Sequence, residues 1–298
     1  MKLGFIAKYL IWLKQLQWHR YIMVQSQLLN CPVVIPYYGG KFELSRRLVP
    51  MLPPHNRYIE VFAGGLSMFF RKKKVKDNIV NDIDNDIVNL YISVLEDFDS
   101  FIKYIKLLPR SRYLFDQYKS KIHKAKEIKI PDYKRAAMYY YVIRNAFNKN
   151  PYNILSIGGN SNWKNKLLEE IVLSKSKLDG VLIENMDFRK LIEKHHPTKG
   201  DLWYLDPPYV IASERKDYYM HTFTMPDHIK VKEICDDIDK AGAEFMVSYD
   251  DRDEIKDMFK DYNIKELKTI YASSSNKKSR NELVIMNYVP NGCQEVLF

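Results

Sequence analysis

Two short apolar runs, each leading through a turn into a helical pattern, constrain the fold more than any other feature. The first spans residues 57–62 and is followed by Ala63-Gly64-Gly65 and a helical pattern. The second, residues 78–82, closes on an acid, and residues 83–95 then carry apolar side chains at helical spacing. Strand, turn and helix repeated in this way predict the opening of a doubly wound α/β sheet.

The same pattern resumes after residue 180. Residues 181–185, 201–205 and 244–248 are predicted strands. Residues 264–271 and 282–288 are predicted to form a terminal antiparallel pair. The segment between the second and third strands reads instead as helices, including a buried, Tyr-rich helix at residues 136–143. The sequence therefore predicts an α/β sheet interrupted by a mainly helical insert.

Positive charge is concentrated in this insert. The whole chain has 47 Lys and Arg against 37 Asp and Glu, whereas residues 101–180 alone have 17 against 6, with eight tyrosines among them. Clustered positive charge neutralises phosphates and releases their counterions, so a polyanionic partner, nucleic acid first, is expected. A basic balance that serves solubility alone is the alternative.

Cysteine usage and the first residues exclude several classes of protein. Cys31, Cys235 and Cys293 are far apart and form no CxxC pair, which indicates a reducing compartment and no metal site. The apolar stretch at residues 4–23 is too interrupted by charge to span a bilayer, and no cleavage site follows it. A cytoplasmic protein is expected. Residues 1–32 are interpreted as an N-terminal extension, either an added helix or the result of a start codon placed before Met23.

The tetrapeptide Asp206-Pro207-Pro208-Tyr209 follows the predicted strand at 201–205 and carries the clearest chemistry. An acid at the carboxyl end of a parallel strand lies where α/β proteins bind ligands. The prolines fix the backbone, so the site is rich in hydrogen-bond acceptors, and the tyrosine offers a ring on which a base removed from a duplex can stack.

Such a site suits a poorly nucleophilic exocyclic amino group, such as that of adenine. Two acceptors on its hydrogens localise the nitrogen lone pair, and methyl transfer from a sulfonium can then proceed directly by positioning and oriented dipoles. The alternative is a Pro-Pro turn that ends a strand, with Asp206 capping a helix.

Four motifs in one order make a family resemblance specific. They are residues 36–41 (Pro-Tyr-Tyr-Gly-Gly-Lys), 60–65 (Glu-Val-Phe-Ala-Gly-Gly), 81–83 (Asn-Asp-Ile) and the tetrapeptide at 206–209. With them the chain resembles the Dam-like, D12 class adenine-specific DNA N6-methyltransferases from about residue 33 to 288, including residues 141–148 and 185–188. The resemblance implies a Rossmann-like methyltransferase sheet, S-adenosylmethionine as methyl donor, and double-stranded DNA as substrate with base flipping.

The resemblance also implies residue roles. Asp206, Pro207, Pro208 and Tyr209 would be catalytic. Phe62, Ala63 and Gly64 would line the methionine half of the cofactor, Asp82 would take the ribose hydroxyls, and Asp187 with Phe188 would hold the cofactor adenine. The full predicted cofactor set is Tyr38, Gly39, Gly40, Lys41, Glu60, Phe62, Ala63, Gly64, Gly65, Asp82, Ile83, Asp187, Phe188 and Asp206.

The resemblance divides the chain into a catalytic domain, residues 33–95 and 180–298, and a target-recognition insert, residues 96–179. The predicted DNA contacts are Lys41, Arg144, Asn148, Lys277, Lys278 and Arg280. A structural role that ties the insert to the core is an equal alternative for Arg144 and Asn148, and a solvated hairpin tip is the alternative for residues 274–280.

Two positions depart from the family pattern. Leu66 stands where a third glycine is common, which puts the packing of the cofactor loop in question. Pro36 stands where a lysine is common, so no recognition sequence is carried over. His221 and His228, after the tetrapeptide, are expected to cap or pack rather than to catalyse.

Other functions stay open at this stage. Methylation of cytosine N4 or of an RNA adenine is the enzymatic alternative, and a DNA-binding relative that has lost its chemistry is the other. A Rossmann dehydrogenase is disfavoured, because Gly64-Gly65-Leu66 does not give GxGxxG. A monomeric or weakly dimeric state is expected, and the sequence does not decide between a restriction-linked enzyme and a solitary or phage enzyme.

Overall fold

The computed structural model describes residues 40–124, 128–156, 167–210, 223–270 and 279–290. Within these residues seven strands form one sheet in the order β3-β2-β1-β4-β5-β7-β6. Strands β1 to β5 are parallel, and β7 runs antiparallel to both of its neighbours. The bounds are β1 (Arg57–Glu60), β2 (Asp77–Asn81), β3 (Leu182–Glu184), β4 (Asp201–Leu205), β5 (Glu244–Asp250), β6 (Asn263–Ile270) and β7 (Ser279–Met286).

The central strands β1, β4 and β5 are almost wholly buried because both faces of the sheet are covered. Successive side chains point to opposite faces, so Tyr58 enters one buried cluster and Ile59 the other. Leu202 and Trp203 alternate in the same way on β4. The predicted α/β class and the antiparallel terminal pair are confirmed, with strand ends that differ from the predicted ones by at most three residues.

Helices cover the two faces unequally. The first face is covered by α1 (Ser45–Leu48), the 3-10 turn Val49–Met51, α2 (Ser67–Arg71), α3 (Asn85–Glu96), α4 (Phe98–Lys106), α5 (Arg112–Lys124), α6 (Tyr133–Asn145) and α7 (Leu167–Leu178). The second is covered by α8 (Phe188–His195), α9 (Met225–Lys240) and α10 (Asp253–Met258). None of the described helices has the length and apolar character needed to cross a membrane.

Short polar side chains begin several of these helices. Asp84 accepts from the amide of Asp86 at the start of α3, and Asp132 accepts from the amides of Lys134 and Arg135 at the start of α6. Such caps satisfy donors that the first helical turn leaves unpaired.

The predicted helical insert lies between β2 and β3 and comprises α4 to α7 with a 3-10 turn, Phe147–Lys149. Its buried side chains, such as Phe115 in α5 and Tyr140 in α6, join the same cluster as the first face of the sheet. The insert therefore shares a hydrophobic core with the sheet. The limits assigned to it, residues 96–179, stay a prediction, and the extension at residues 1–32 lies outside the described residues.

Candidate active site

The candidate site lies at the carboxyl ends of β1 and β4, where the order of the sheet reverses. From β1 the chain continues to β2 on one side, whereas β4 pairs with β1 on the other. Glu60 ends β1 beside Tyr204, and Asp206 directly follows β4. A reversal of this kind opens a crevice in which α/β proteins bind ligands.

The loop after β1 is fixed by backbone bonds to both neighbouring strands. The amide of Val61 donates to the carbonyl of Tyr204 at 3.0 Å, and the amide of Ala63 donates to the carbonyl of Asn81 at 2.7 Å. The amide of Gly64 donates to the Asp82 carboxylate at 2.8 Å. The loops that carry three predicted cofactor residues, Ala63, Gly64 and Asp82, are therefore joined by hydrogen bonds.

Leu66 resolves the question raised by the missing third glycine. It adopts a left-handed conformation, with φ 52°, that glycine takes without strain and other residues take at a cost of about 1–2 kcal/mol. Its side chain is fully buried in the first core cluster, which offsets a cost of that size. The loop thus keeps a glycine-like backbone while leucine also anchors it in the core.

Glu60 is a buried acid within this loop region. Its carboxyl accepts from the Tyr58 hydroxyl at 2.8 Å and from the Phe69 amide at 3.0 Å. Burial raises the pKa of Glu60 to about 8, although these two hydrogen bonds and nearby Lys72 oppose the rise. At neutral pH the carboxyl is therefore mostly protonated, and a cationic ligand would favour its ionised form.

Glu60→Gln is expected to stabilise the protein increasingly as the pH rises. Above the usual pKa of 4.5 the unfolded chain releases a proton that the folded state keeps up to about pH 8, so stability falls across that window. The slope is at most about 1.4 kcal/mol per pH unit. Gln retains the shape without this loss. Thermal melts of variant and wild type at several pH values test the expectation, and a difference that does not grow with pH contradicts it.

The acids at 82, 84 and 86 have distinct partners, although the sequence shows them only as an acidic run. The Asp82 carboxylate accepts from the amides of Gly64 and Asp84. Asp84 caps α3, and burial raises its pKa to about 7. Asp86 forms a buried ion pair with Arg135. Asp82 alone of the three faces the loop after β1, whereas its neighbour Ile83 is exposed.

Asn81 belongs to the motif at residues 81–83, but the sequence alone assigned it no role in the site. Its side-chain amide donates to the carbonyls of Val61 and Met186, both at 3.0 Å, and its oxygen accepts from the Met186 amide at 3.0 Å. One side chain thus joins the loops that follow β1 and β3. A buried asparagine that ends an apolar strand was the available signal.

Aromatic rings form one wall beside these loops. The ring centroids of Phe62 and Phe188 are 5.4 Å apart, and Phe223 lies within 6.0 Å of both. Next to them the Arg189 guanidinium bridges Asp187 and Asp227. The predicted adenine-binding pair, Asp187 and Phe188, therefore lies close to Phe62.

The tetrapeptide loop brings a lysine, an acid and an aromatic ring together. Lys41 Nζ lies 2.8 Å from Asp206 Oδ1 and 4.4 Å from the centre of the Tyr209 ring. The Lys41 side chain is 4% exposed and that of Asp206 is 19% exposed. Burial raises the pKa of Asp206 to about 6, Lys41 opposes the rise, and Glu282 adds to it.

Tyr209 contacts residues of β5 and β7. Its hydroxyl donates to the buried Glu282 carboxylate, and its ring lies 6.3 Å from that of Tyr249. Tyr249 in turn bonds Nδ1 of His228 at 2.9 Å, and burial lowers the pKa of His228 to about 4. His228 is therefore a neutral packing residue, as expected, whereas His221 lies outside the described residues.

The predicted DNA contacts are less fully described. Arg144 stacks on Tyr140 and pairs with Glu170, an arrangement that accounts for the residue structurally; its contact with DNA stays a prediction. Only the backbones of Asn148 and Arg280 are described, in the 3-10 turn and in β7. Tyr38, Gly39, Lys277 and Lys278 lie outside the described residues. Among the described residues no group of three or more acids, histidines or cysteines could hold a metal.

Comparison with known proteins decides the family. The protein-family model for the D12 class N6 adenine-specific DNA methyltransferases matches residues 37–273, most of the chain. The chain belongs to this family. The motif at residues 60–65 and the tetrapeptide at 206–209 both fall within the matched range.

Three relatives are similar to this chain along almost their whole length. The type II methyltransferase M1.LlaDCHI of Lactococcus lactis subsp. cremoris is 25% identical over 284 residues, 89% of this chain and 99% of that one. The retron Ec67 DNA adenine methylase of Escherichia coli is 23% identical, with coverage of 85% and 90%. The type II methyltransferase M.MjaIII of Methanocaldococcus jannaschii is 26% identical, with coverage of 85% and 98%. This D12 class protein is an adenine-specific DNA methyltransferase.

Proposed function

We propose that this chain transfers the methyl group of S-adenosylmethionine to the N6 amino group of adenine in double-stranded DNA, and that Asp206 is the central catalytic residue. The observation that carries the proposal is the meeting of Asp206, Lys41 and Tyr209 in the same crevice as Glu60 and the β1 loop. We propose further that it acts in the cytoplasm, as a monomer or weak dimer.

The residues around the crevice fit the proposed cofactor, whose chemical contribution is an electrophilic methyl group on a sulfonium. Its ammonium and hydroxyl donors call for acceptors, and Glu60, Asp82 and Asp187 supply carboxyl groups near the ends of β1, β2 and β3. The buried Glu60 carboxyl matches a cationic group in particular, because a positive charge would lower its raised pKa. Phe62 and Phe188 offer an apolar wall for a nucleobase.

The catalytic loop would act on the adenine amino group. The Asp206 carboxylate accepts one N6 hydrogen, and the Pro207 carbonyl is the natural second acceptor, because proline fixes the backbone there. Two acceptors localise the nitrogen lone pair toward the incoming methyl group. Tyr209 stacks on the flipped base. Lys41 keeps Asp206 ionised and so preserves the stronger acceptor.

The role of Asp206 predicts an acid limb in the pH dependence of methyl transfer. Because its pKa is about 6, kcat/KM is expected to fall as the pH drops through that value and the carboxylate is protonated. Lys41→Met removes a charge that lowers this pKa, so the limb moves to higher pH. Initial rates from about pH 5 to pH 8 measure both effects. A flat profile, or a midpoint unmoved in Lys41→Met, would contradict the assignment.

We assign target recognition to the insert, residues 96–179, with Lys277, Lys278 and Arg280 as a second DNA contact. The support is the excess of Lys and Arg between residues 101 and 180. If the insert binds DNA, the logarithm of DNA affinity should fall less steeply with the logarithm of salt concentration after insert lysines are replaced.

Product identification tests the function. Tritiated methyl transfer to unmethylated genomic DNA, followed by mass spectrometry of the nucleosides, is expected to yield N6-methyladenine. Formation of N4-methylcytosine, or transfer to RNA alone, would replace the proposal with one of those reactions. Cofactor binding without any product would favour a relative that retains the fold for binding.

A further inference from the structure

We propose that Glu282 is a positioning residue for the methyl-transfer site, which fixes the orientation of the Tyr209 ring. This inference rests on the proposed function of Tyr209 as the ring that meets the target base. Glu282 lies on β7, remote in sequence from every predicted site residue except Lys277, Lys278 and Arg280. Its contact with Tyr209 is therefore visible only in the folded chain.

The contact is buried and specific. The Tyr209 hydroxyl donates to Glu282 Oε2, and the Glu282 side chain belongs to a residue that is only 2% exposed. A hydrogen bond from a hydroxyl to a buried carboxylate is stronger than one between neutral groups, and it restricts the tyrosine at both the ring and the hydroxyl. The ring is thereby held before a base arrives, which lowers the entropy cost of stacking.

Sheet register places a second acid next to the same loop. Glu282 lies directly opposite Asp250 in the antiparallel pair of β5 and β7. The backbone amide of Val210, the residue after Tyr209, lies near the Asp250 carboxyl and lowers its pKa, against the effect of burial. Two acids that face each other across one strand pair therefore lie beside consecutive residues of the catalytic loop, and Glu282 bonds the Tyr209 side chain.

Glu282 also contributes to the electrostatics of the crevice. Its negative charge raises the pKa of Asp206, against the effect of Lys41. The Glu282 carboxylate therefore lowers the ionised fraction of Asp206, and this effect alone would not favour an acid at a buried position. We interpret its function as orientation of Tyr209, which a neutral apolar side chain could not provide.

Glu282→Gln and Glu282→Ala separate these contributions. Gln keeps an acceptor for Tyr209 but removes the charge, so the acid limb of the pH profile is expected to move to lower pH. Ala removes both and is expected to lower kcat/KM at pH above the limb by about tenfold or more. Glu266→Gln is the matched control, since this half-exposed acid of the same hairpin faces solvent and Lys256.

A double-mutant cycle with Tyr209→Phe distinguishes orientation from general loss of structure. Phe keeps the ring and removes the hydroxyl, so it should reproduce most of the loss of kcat/KM seen in Glu282→Ala, and melting temperatures measure separately what the buried Glu282 carboxylate loses with this donor. Glu282→Ala should then add little in the Phe background. Tyr209→Phe reports on the same bond by itself if the alanine variant does not fold.

Each outcome decides the inference. Full activity of Tyr209→Phe overturns it, and so does an undiminished effect of Glu282→Ala in the Phe background. These failures are distinct from failure of the proposed function, because in that case the wild-type protein makes no N6-methyladenine at all.

Discussion

Asp206→Ala is expected to reduce the rate of methyl transfer by about a thousandfold or more. Removal of a preorganised hydrogen-bonding group at a reacting centre lowers the rate by a factor on the order of 10²–10³. Asp206 is also the only ionised acceptor assigned to the amino group. Affinity for S-adenosylmethionine should stay within about tenfold, or 1.4 kcal/mol. Single-turnover rates with radiolabelled cofactor, together with cofactor binding by calorimetry, measure the two effects separately.

Asp206→Asn is the matched control for this variant. The alanine leaves Lys41, which is 4% exposed, without its carboxylate partner at 2.8 Å, so part of the loss could come from local rearrangement. Asparagine keeps the shape and one acceptor oxygen but no charge. We expect it to melt near wild type and to lose most of the activity. Turnover close to wild type in both variants would remove Asp206 from the mechanism.

Arg135→Met is expected to destabilise the fold by about 3–5 kcal/mol, the cost of leaving a buried charge without its partner. The Arg135 guanidinium binds both carboxylate oxygens of Asp86, at 2.6 and 2.8 Å, and donates to the carbonyl of Ile122 at 3.0 Å. It thus joins α3, α5 and α6. Burial raises the pKa of Asp86 and Arg135 lowers it. The variant should therefore lose more stability as the pH rises, because Asp86 must then ionise without a partner.

Urea unfolding of three variants tests this expectation. The double variant Asp86→Leu/Arg135→Met removes both charges and should recover most of the stability. Arg112→Met, on the exposed surface of α5, is the control and should stay within about 0.5 kcal/mol of wild type. A double variant as unstable as Arg135→Met would show that packing, rather than the unpaired carboxylate, accounts for the loss.

Local pattern in the sequence predicted most of the sheet. Residues 201–205 are a strand with the predicted bounds, and the tetrapeptide follows it at the reversal of strand order. These features depend on apolar runs and on the turn chemistry of glycine and proline, which act over a few residues. The placement of Asp82 at the end of β2 followed from the same logic.

Contacts between distant segments were not predictable in this way. Nothing in the neighbourhood of Glu282 distinguishes it from other strand acids, and its contact with Tyr209 depends on the register of β7 against β5. The 2.8 Å pair of Lys41 and Asp206 likewise requires the chain before α1 to reach the crevice. Register and docking are set by tertiary packing, which a single sequence does not display.

The charge of the insert illustrates the same limit. Composition suggested a basic surface, yet several of its cations bond to groups of the protein itself. Lys119 donates to the carbonyls of Tyr152 and Asn153, Lys175 donates to that of Leu95, and Arg135 is buried. A count of lysines and arginines therefore overstates the charge that a duplex would meet.

The position of β7 in the sheet determines the order in which the strands can pair as the chain is synthesised. On the ribosome β6 emerges before β7, yet in the finished sheet β7 lies between β5 and β6 and bonds to both. Until β7 arrives, the outer edge of β5 has no strand to pair with, and an open edge is where other chains attach. Asp206 and Tyr209 are already synthesised by then. Closure of the sheet and arrival of Glu282 beside Tyr209 are thus a single late event in folding.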